Sequence, residues 1–154
     1  MSNHGNTVAA SGRTNVQKAA LAFGVVFLLV GVLGFIPGVT TNYSELTFAG
    51  HHSEAKLLGI FQVSALHNIV HLLFGIAGLM FSRTITGARN YLIGGGAVYA
   101  LLLVYGLFIG HDSAANFVPL NTADNWLHGF LAVAMIGSGF ALTRDRRDAP
   151  AARV

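Results

Sequence analysis

Residues 66–78 read LHNIVHLLFGIAG, and the fold of the chain turns on this stretch. Two histidines, His67 and His71, stand four residues apart with Asn68 between them, and an apolar run follows at once. On a helix turning about 100° per residue, Ser64, His67, His71 and Gly78 fall within about 60° of one another, with Asn68 and Gly75 close beside. One face is therefore polar or small, while Ile69, Leu72, Leu73 and Ile76 cover the rest. A near-match comes later, where Asp124-Asn125-Trp126-Leu127-His128 opens another apolar run. The shared pattern is (His or Asp)-Asn-x-x-His ahead of a segment of membrane-spanning length.

Composition sets the solvent. Of 154 residues, 53% are hydrophobic and 10% charged, against about 25% charged in an ordinary soluble domain. The charges are also segregated. Every Lys, Arg, Asp and Glu lies outside four stretches, 19–44, 57–82, 90–111 and 125–143. Each is long enough for the roughly 20 helical residues that cross a hydrocarbon core. Backbone polar groups in lipid must be satisfied within the segment, so four such stretches predict four helices. The sequence thus predicts an all-α membrane protein, a four-transmembrane-helix bundle in contact with the lipid bilayer. The expected spans are about 19–36, 57–82, 90–110 and 122–143, within a transmembrane domain at 18–143. A disordered tail is expected at 1–17 and a basic tail at 144–154. The first span is read as a retained helix rather than a signal peptide, because Pro37-Gly38 follows a full-length run instead of a small-x-small cleavage site.

Topology follows from the basic residues. Arg13, Lys18, Arg83, Arg89, Arg144, Arg146, Arg147 and Arg153 are eight of the nine Lys and Arg, and all fall on one side of the alternating spans; Lys56 alone falls on the other. The positive-inside bias places both termini in the cytoplasm. The starts of spans two and four then face outward. The basic balance (net charge +3) reflects this topology, and no nucleic-acid partner is expected. Spans one and three are glycine-rich and aliphatic, while spans two and four open with Asn-x-x-His. The bundle therefore reads as two similar helical hairpins, parallel repeats about an axis along the membrane normal. Ser53 is a candidate cap for a helical stretch entering span two, and Thr122 for the start of span four.

Under the repeat, His67 corresponds to Asp124, Asn68 to Asn125 and His71 to His128, and the pseudo-axis would bring His71 and His128 across the bundle from each other. The set His67, His71, Asp124 and His128 admits two readings. Histidine and asparagine near the outer interface can simply hydrogen-bond across the helices and tie the bundle together, each bond contributing roughly 0.6–2 kcal/mol. The same three nitrogens and one oxygen suit a transition metal, with Asn68 and Asn125 as orienting partners, and a haem between His71 and His128 is a variant. A quinone-linked oxidoreductase subunit using this face is a third possibility. His51, His52 and His111 sit in the outer connections and could cover or feed the site, though solvated loop histidines need no such role. Tyr91, near one end of span three, reads as an interfacial anchor.

No cysteine is present, so disulfides, thiolate ligands and cysteine nucleophiles are excluded. No span carries a Lys, Arg, Asp or Glu near midplane, which disfavours a charge-coupled pump. No phosphate-binding loop or serine triad is evident. The reading that remains is an accessory or interaction membrane protein without evident catalytic machinery. Its glycine-rich faces, Gly106-x-x-x-Gly110 among them, suit self-association or a membrane partner subunit.

GVLGFIPG at the end of span one, LLGIFQVSALHNIVHLLFGIAGL through span two and the later NTADNWLHGFLAV carry a resemblance. Together they resemble a family of small bacterial four-helix membrane proteins known as a domain of unknown function. The likeness covers roughly 18–142, and its most specific piece is His-Asn-x-x-His-Leu-x-x-Gly, here residues 67–75. It implies a four-helix fold in a bacterial cytoplasmic membrane and no assigned reaction. A proline is common just before this motif in the family; Ala65 in its place implies a helix continuous through 57–82.

Overall fold

The computed structural model describes residues 12–144. Of the tails expected at 1–17 and 144–154, residues 1–11 and 145–154, with Arg146, Arg147 and Arg153, lie outside the described residues. Four helices and a small sheet follow in chain order: α1 Asn15–Leu33, β1 Thr40–Thr41, β2 Lys56–Leu57, β3 Phe61–Gln62, α2 Ala65–Phe81, α3 Ile85–Phe108 and α4 Thr122–Arg144. Three of the helices, α1, α3 and α4, are long and apolar enough to cross a bilayer. The fourth, α2, has 17 residues, about 26 Å of helix against a hydrocarbon core of about 30 Å. The side chains that the helices turn outward are apolar, Leu29, Leu73, Leu101, Phe130 and Val133 among them. This is the exterior of a membrane protein.

Helix starts follow side-chain chemistry. Thr14 and Gln17 bracket the start of α1, with the Gln17 Oε1 accepting from Thr14 N at 3.1 Å and from Thr14 Oγ1 at 3.0 Å. Residues 15–17, expected in the tail, are therefore its first turn. Ser64 caps α2 by accepting from His67 N, and Thr84 caps α3 by accepting from Gly87 N. Ahead of α4 the cap is Asn121 rather than Thr122: Asn121 Oδ1 accepts from Asp124 N at 2.9 Å while Asp124 Oδ2 accepts from Asn121 N at 3.0 Å. That reciprocal pair is a capping box with aspartate in the third position.

α1 packs chiefly on α2, and α3 on α4. Both pairs are antiparallel. Gly24 of α1 lies against Gly75 and Gly78, where a Cβ would stand 3.0 Å from backbone atoms of α2. At the far end of α2, Gln17 Nε2 donates to Ser82 O and Arg83 O, joining the start of α1 to the end of α2. The main apolar core joins Val16, Ala20 and Phe27 of α1, Ala88, Leu92 and Tyr99 of α3, and Leu131 and Met135 of α4. Tyr91 belongs to this core as well. Its hydroxyl donates to Phe74 O at 3.1 Å, so it is buried between helices rather than an interfacial anchor.

One end of the bundle carries Arg13, Lys18, Arg83 and Arg89 and the close of α4; the other carries the sheet and the long connections. The largest departure from expectation lies at this capped end. Residues 57–63 are not the first turns of α2. They form a hairpin, β2 antiparallel to β3, with β1 on the other edge of β2. Leu58 and Gly59 both adopt positive φ (54° and 73°), and Ile60 N donates to Leu57 O across the turn. Such a left-handed pair reverses a strand and ends any helix. The side chains then alternate, Leu57 and Val63 buried with Leu58 and Ile60 exposed. With Ala55, the inward residues form a second small core against Val30 and Leu33 of α1. Ser53 does not cap a helix; it is fully buried, donating from Oγ to Val63 O at 2.6 Å and accepting from Thr47 N.

Candidate functional site

His71 is the seventh residue of α2, and His128 the seventh of α4. Both stand about 9 Å along their helices from the capped end. Asn68 and Asn125 are the fourth residues, and His67 and Asp124 the third. All six side chains are buried, none more than 9% exposed.

The imidazoles meet through a ladder of rings. His67 stacks on His71 with centroids 4.5 Å apart and planes within 3°, the i to i+4 relation the sequence spacing implies. His71 meets Phe27 of α1 edge-on at 5.8 Å. Phe27 stacks on Tyr99 of α3 at 5.4 Å, and Tyr99 lies 5.3 Å from His128. One continuous run of rings thus crosses all four helices. The ring contacts link His71 to His128 through Phe27 and Tyr99.

Hydrogen bonding inside this cluster is sparse. His71 Nδ1 lies 3.1 Å from His67 O. A carbonyl can only accept, so Nδ1 carries the proton and Nε2 keeps its lone pair. Asn125 Nδ2 donates to Gly106 O of α3 at 3.0 Å, among the described residues the single bond that any of these side chains makes to another helix of the bundle. Five buried polar atoms have no partner among the described residues: His67 Nδ1, both amide atoms of Asn68, Asn125 Oδ1 and His128 Nδ1. Leaving such an atom unpaired costs about 1–3 kcal/mol.

The two asparagines share a second feature. Asn68 lies against Gly34, just past the end of α1, and Asn125 against Gly106, near the end of α3. At either glycine a Cβ would collide with the amide oxygen. The carboxamides occupy space that only glycine leaves open.

Asp124 takes a different part from the one its sequence match suggests. Its Oδ2 accepts from Asn121 N and, at 3.1 Å, from Gln62 N of β3. The carboxylate is turned to the helix start and the sheet. Among the described residues, no three His, Asp or Glu side chains are grouped so that they could hold a metal ion. The outer histidines are also elsewhere. His51 and His52 pack on each other at 3.9 Å, and His111 is an exposed residue of the second connection whose carbonyl accepts from Asn116 Nδ2. None of the three makes a ring contact or hydrogen bond with the buried histidines.

Sequence reasoning passed over Phe27 and Tyr99, which join the two halves; Gly34 and Gly106, which the sequence offers as points of close helix approach, seat the two asparagine amides. Tyr99 carried a signal, since it lies two turns from Tyr91 on the same face of α3. Phe27 carried none, being one of many apolar residues in α1. The glycine faces expected to attract a partner are mostly spent inside the chain, on Asn68, Leu72, Leu28 and Tyr91. Gly106, Gly110 and Gly129 also flank an outward groove of ≈ 1030 Å³ between α3 and α4.

No curated protein and no solved structure matches the chain. The helices, their caps and the histidine-bearing segments nearly all fall within residues 17–141, the span matched by one family model, and the chain therefore belongs to the family described as Domain of unknown function (DUF4383).

Proposed function

We propose that this chain is a four-pass protein of the bacterial cytoplasmic membrane, both termini in the cytoplasm, serving as a non-enzymatic accessory protein. Its two Asn-x-x-His segments form a buried site for ordered water between the helices. The observation that carries this reading is the set of five unpartnered polar atoms, all on His67, Asn68, Asn125 and His128. Internal water typically bonds to two to four otherwise unsatisfied buried groups, and these atoms have that need. The expected tie across the bundle is then made through water, with the Asn125–Gly106 bond as its direct strand.

The two-hairpin reading supports the same site. His71 and His128 hold matching positions, both asparagines rest on a glycine of the preceding helix, and Ser64 and Asn121 each cap by accepting from the third residue of the helix they start. The basic residues gathered at one end favour that end as cytoplasmic. A metal or haem held by His67, His71, Asp124 and His128 is the second reading; the lone pair left on His71 Nε2 favours it, and the engagement of Asp124 speaks against that full set. Neither a quinone site nor a partner subunit has an observation of its own beyond the groove beside Gly106 and Gly110.

The test is water-edited solid-state NMR of the full chain in lipid, with elemental analysis and an optical spectrum of the same sample. Strong water transfer to the side chains of His67, Asn68 and His128, without metal or a haem band, is expected. Dry imidazoles overturn the proposal. So does one metal per chain that is lost in His71→Ala, and that result establishes the second reading.

A further inference from the structure

At the basic end, opposite the histidine cluster, a cleft of ≈ 480 Å³ opens between the start of α1 and the α2–α3 connection, with Arg13, Thr14, Gln17, Arg83 and Thr84 in its lining. We propose that this cleft binds the phosphate of an anionic phospholipid headgroup.

Gln17 builds it. Its amide bridges Thr14 on one side and the carbonyls of Ser82 and Arg83 on the other, which fixes the backbone of Arg83 beside that of Thr14. With Arg13 preceding Thr14, two guanidinium groups border one opening. Both arginines are exposed, and among the described residues no carboxylate lines the cleft. Among the described residues, the charge balance of this end is one-sided. All four acidic residues within 12–144, Glu45, Glu54, Asp112 and Asp124, belong to the capped end. A guanidinium fork matches two phosphate oxygens at once, and a pair of forks can hold one phosphate from two sides.

The neighbouring surface selects a lipid over a soluble anion. Met80 and Phe81, the last residues of α2 before the connection, are 59% and 51% exposed and apolar. A molecule with its phosphate in the cleft would lay hydrocarbon along them. The inference rests on the reading that these helices cross a membrane, which puts the cleft at headgroup depth.

The experiment is native mass spectrometry of the full-length protein, comparing retention of phosphatidylglycerol with phosphatidylcholine of the same acyl chains. Wild type is expected to retain phosphatidylglycerol preferentially. Each of Arg13→Gln and Arg83→Gln should weaken it roughly fivefold, as expected for one basic group at an anionic surface. Arg89→Gln should leave it unchanged, because Arg89 lies over the Phe140 ring rather than in the cleft lining. Arg13→Lys keeps the charge without the fork and should fall between wild type and Arg13→Gln; Arg13 precedes α1, so its variants report even if Arg83→Gln fails to fold. Equal retention of the two lipids, or an equal loss in Arg89→Gln, overturns the proposal while leaving the membrane reading intact. Millimolar inorganic phosphate that stabilises the wild type as well as phosphatidylglycerol does, and displaces it, overturns the lipid assignment in favour of a free anion.

Discussion

Gly106→Ala isolates the contact between α3 and the Asn125 amide. The new methyl would collide with Asn125 Oδ1 and stand 2.8 Å from its Cγ and 3.1 Å from its Nδ2. The amide must rotate away, and the bond from Nδ2 to Gly106 O is lost. A buried carboxamide left without a partner costs about 1–3 kcal/mol, and forcing a methyl into a filled site costs a similar amount. Alanine returns up to about 1 kcal/mol through its better helix propensity. The net expectation is a loss of about 1–6 kcal/mol. Gly94 and Gly137, where an added Cβ meets nothing within 4 Å, supply the comparison. Their alanine variants should be neutral or gain up to about 1 kcal/mol. The assay is equilibrium unfolding in mixed detergent micelles, with Asn125→Ala and the double variant completing a cycle. Removing the amide should relieve the collision, so the two changes should couple by about 1 kcal/mol or more. If Gly106→Ala is as stable as Gly94→Ala, or if the two losses simply add, the account of the asparagine seat is wrong.

Asp124→Asn should cost about 1–2 kcal/mol by weakening the bonds to Asn121 N and Gln62 N, and hydrogen exchange at the Gln62 amide should accelerate. Ser53→Ala removes the partner of both Thr47 N and Val63 O inside the small outer core; a loss of about 1–3 kcal/mol is expected, with faster exchange at Thr47. Tyr91→Phe keeps the ring and deletes the bond to Phe74 O, so about 1 kcal/mol should be lost, against about 3–5 kcal/mol for Tyr91→Ala in the same unfolding assay. Because the natural chain has no cysteine, single cysteines report sidedness directly. A membrane-impermeant maleimide should label Glu54→Cys on intact cells and Thr86→Cys only after permeabilisation, and the reverse pattern would invert the topology.

The helices were legible because lipid imposes a coarse rule, that long uncharged runs must be helical, and the runs beginning at Ala19, Asn90 and Asn125 obey it with only their ends shifted. The stretch 57–63 was misread for an equally physical reason. Seven largely apolar residues suit a buried strand or a helix alike, and the decision rests on Leu58 adopting a left-handed conformation that a non-glycine residue rarely takes. The histidine spacing did convey its own geometry, since the i to i+4 pair stacks and each of the matching asparagines is buried. It could not convey the rings that link His71 to His128, because Phe27 and Tyr99 are brought together by the packing of α1 on α3. Asp124 was misplaced because a pattern match equates positions and not directions: His67 stacks inward along its helix, whereas Asp124 turns back to cap its own.

The bonds that sew the two outer connections together also set an order of assembly. Gln62 N donates to Asp124 Oδ2, Asn121 Nδ2 donates to Ile60 O, and Gly50 N donates to Phe117 O. Each joins residues about 60 positions apart, so during synthesis the first hairpin emerges before the partners of these bonds exist. The sheet can be finished only when the last helix is in place, and a chain truncated before Asn121 would display an open seam along β3.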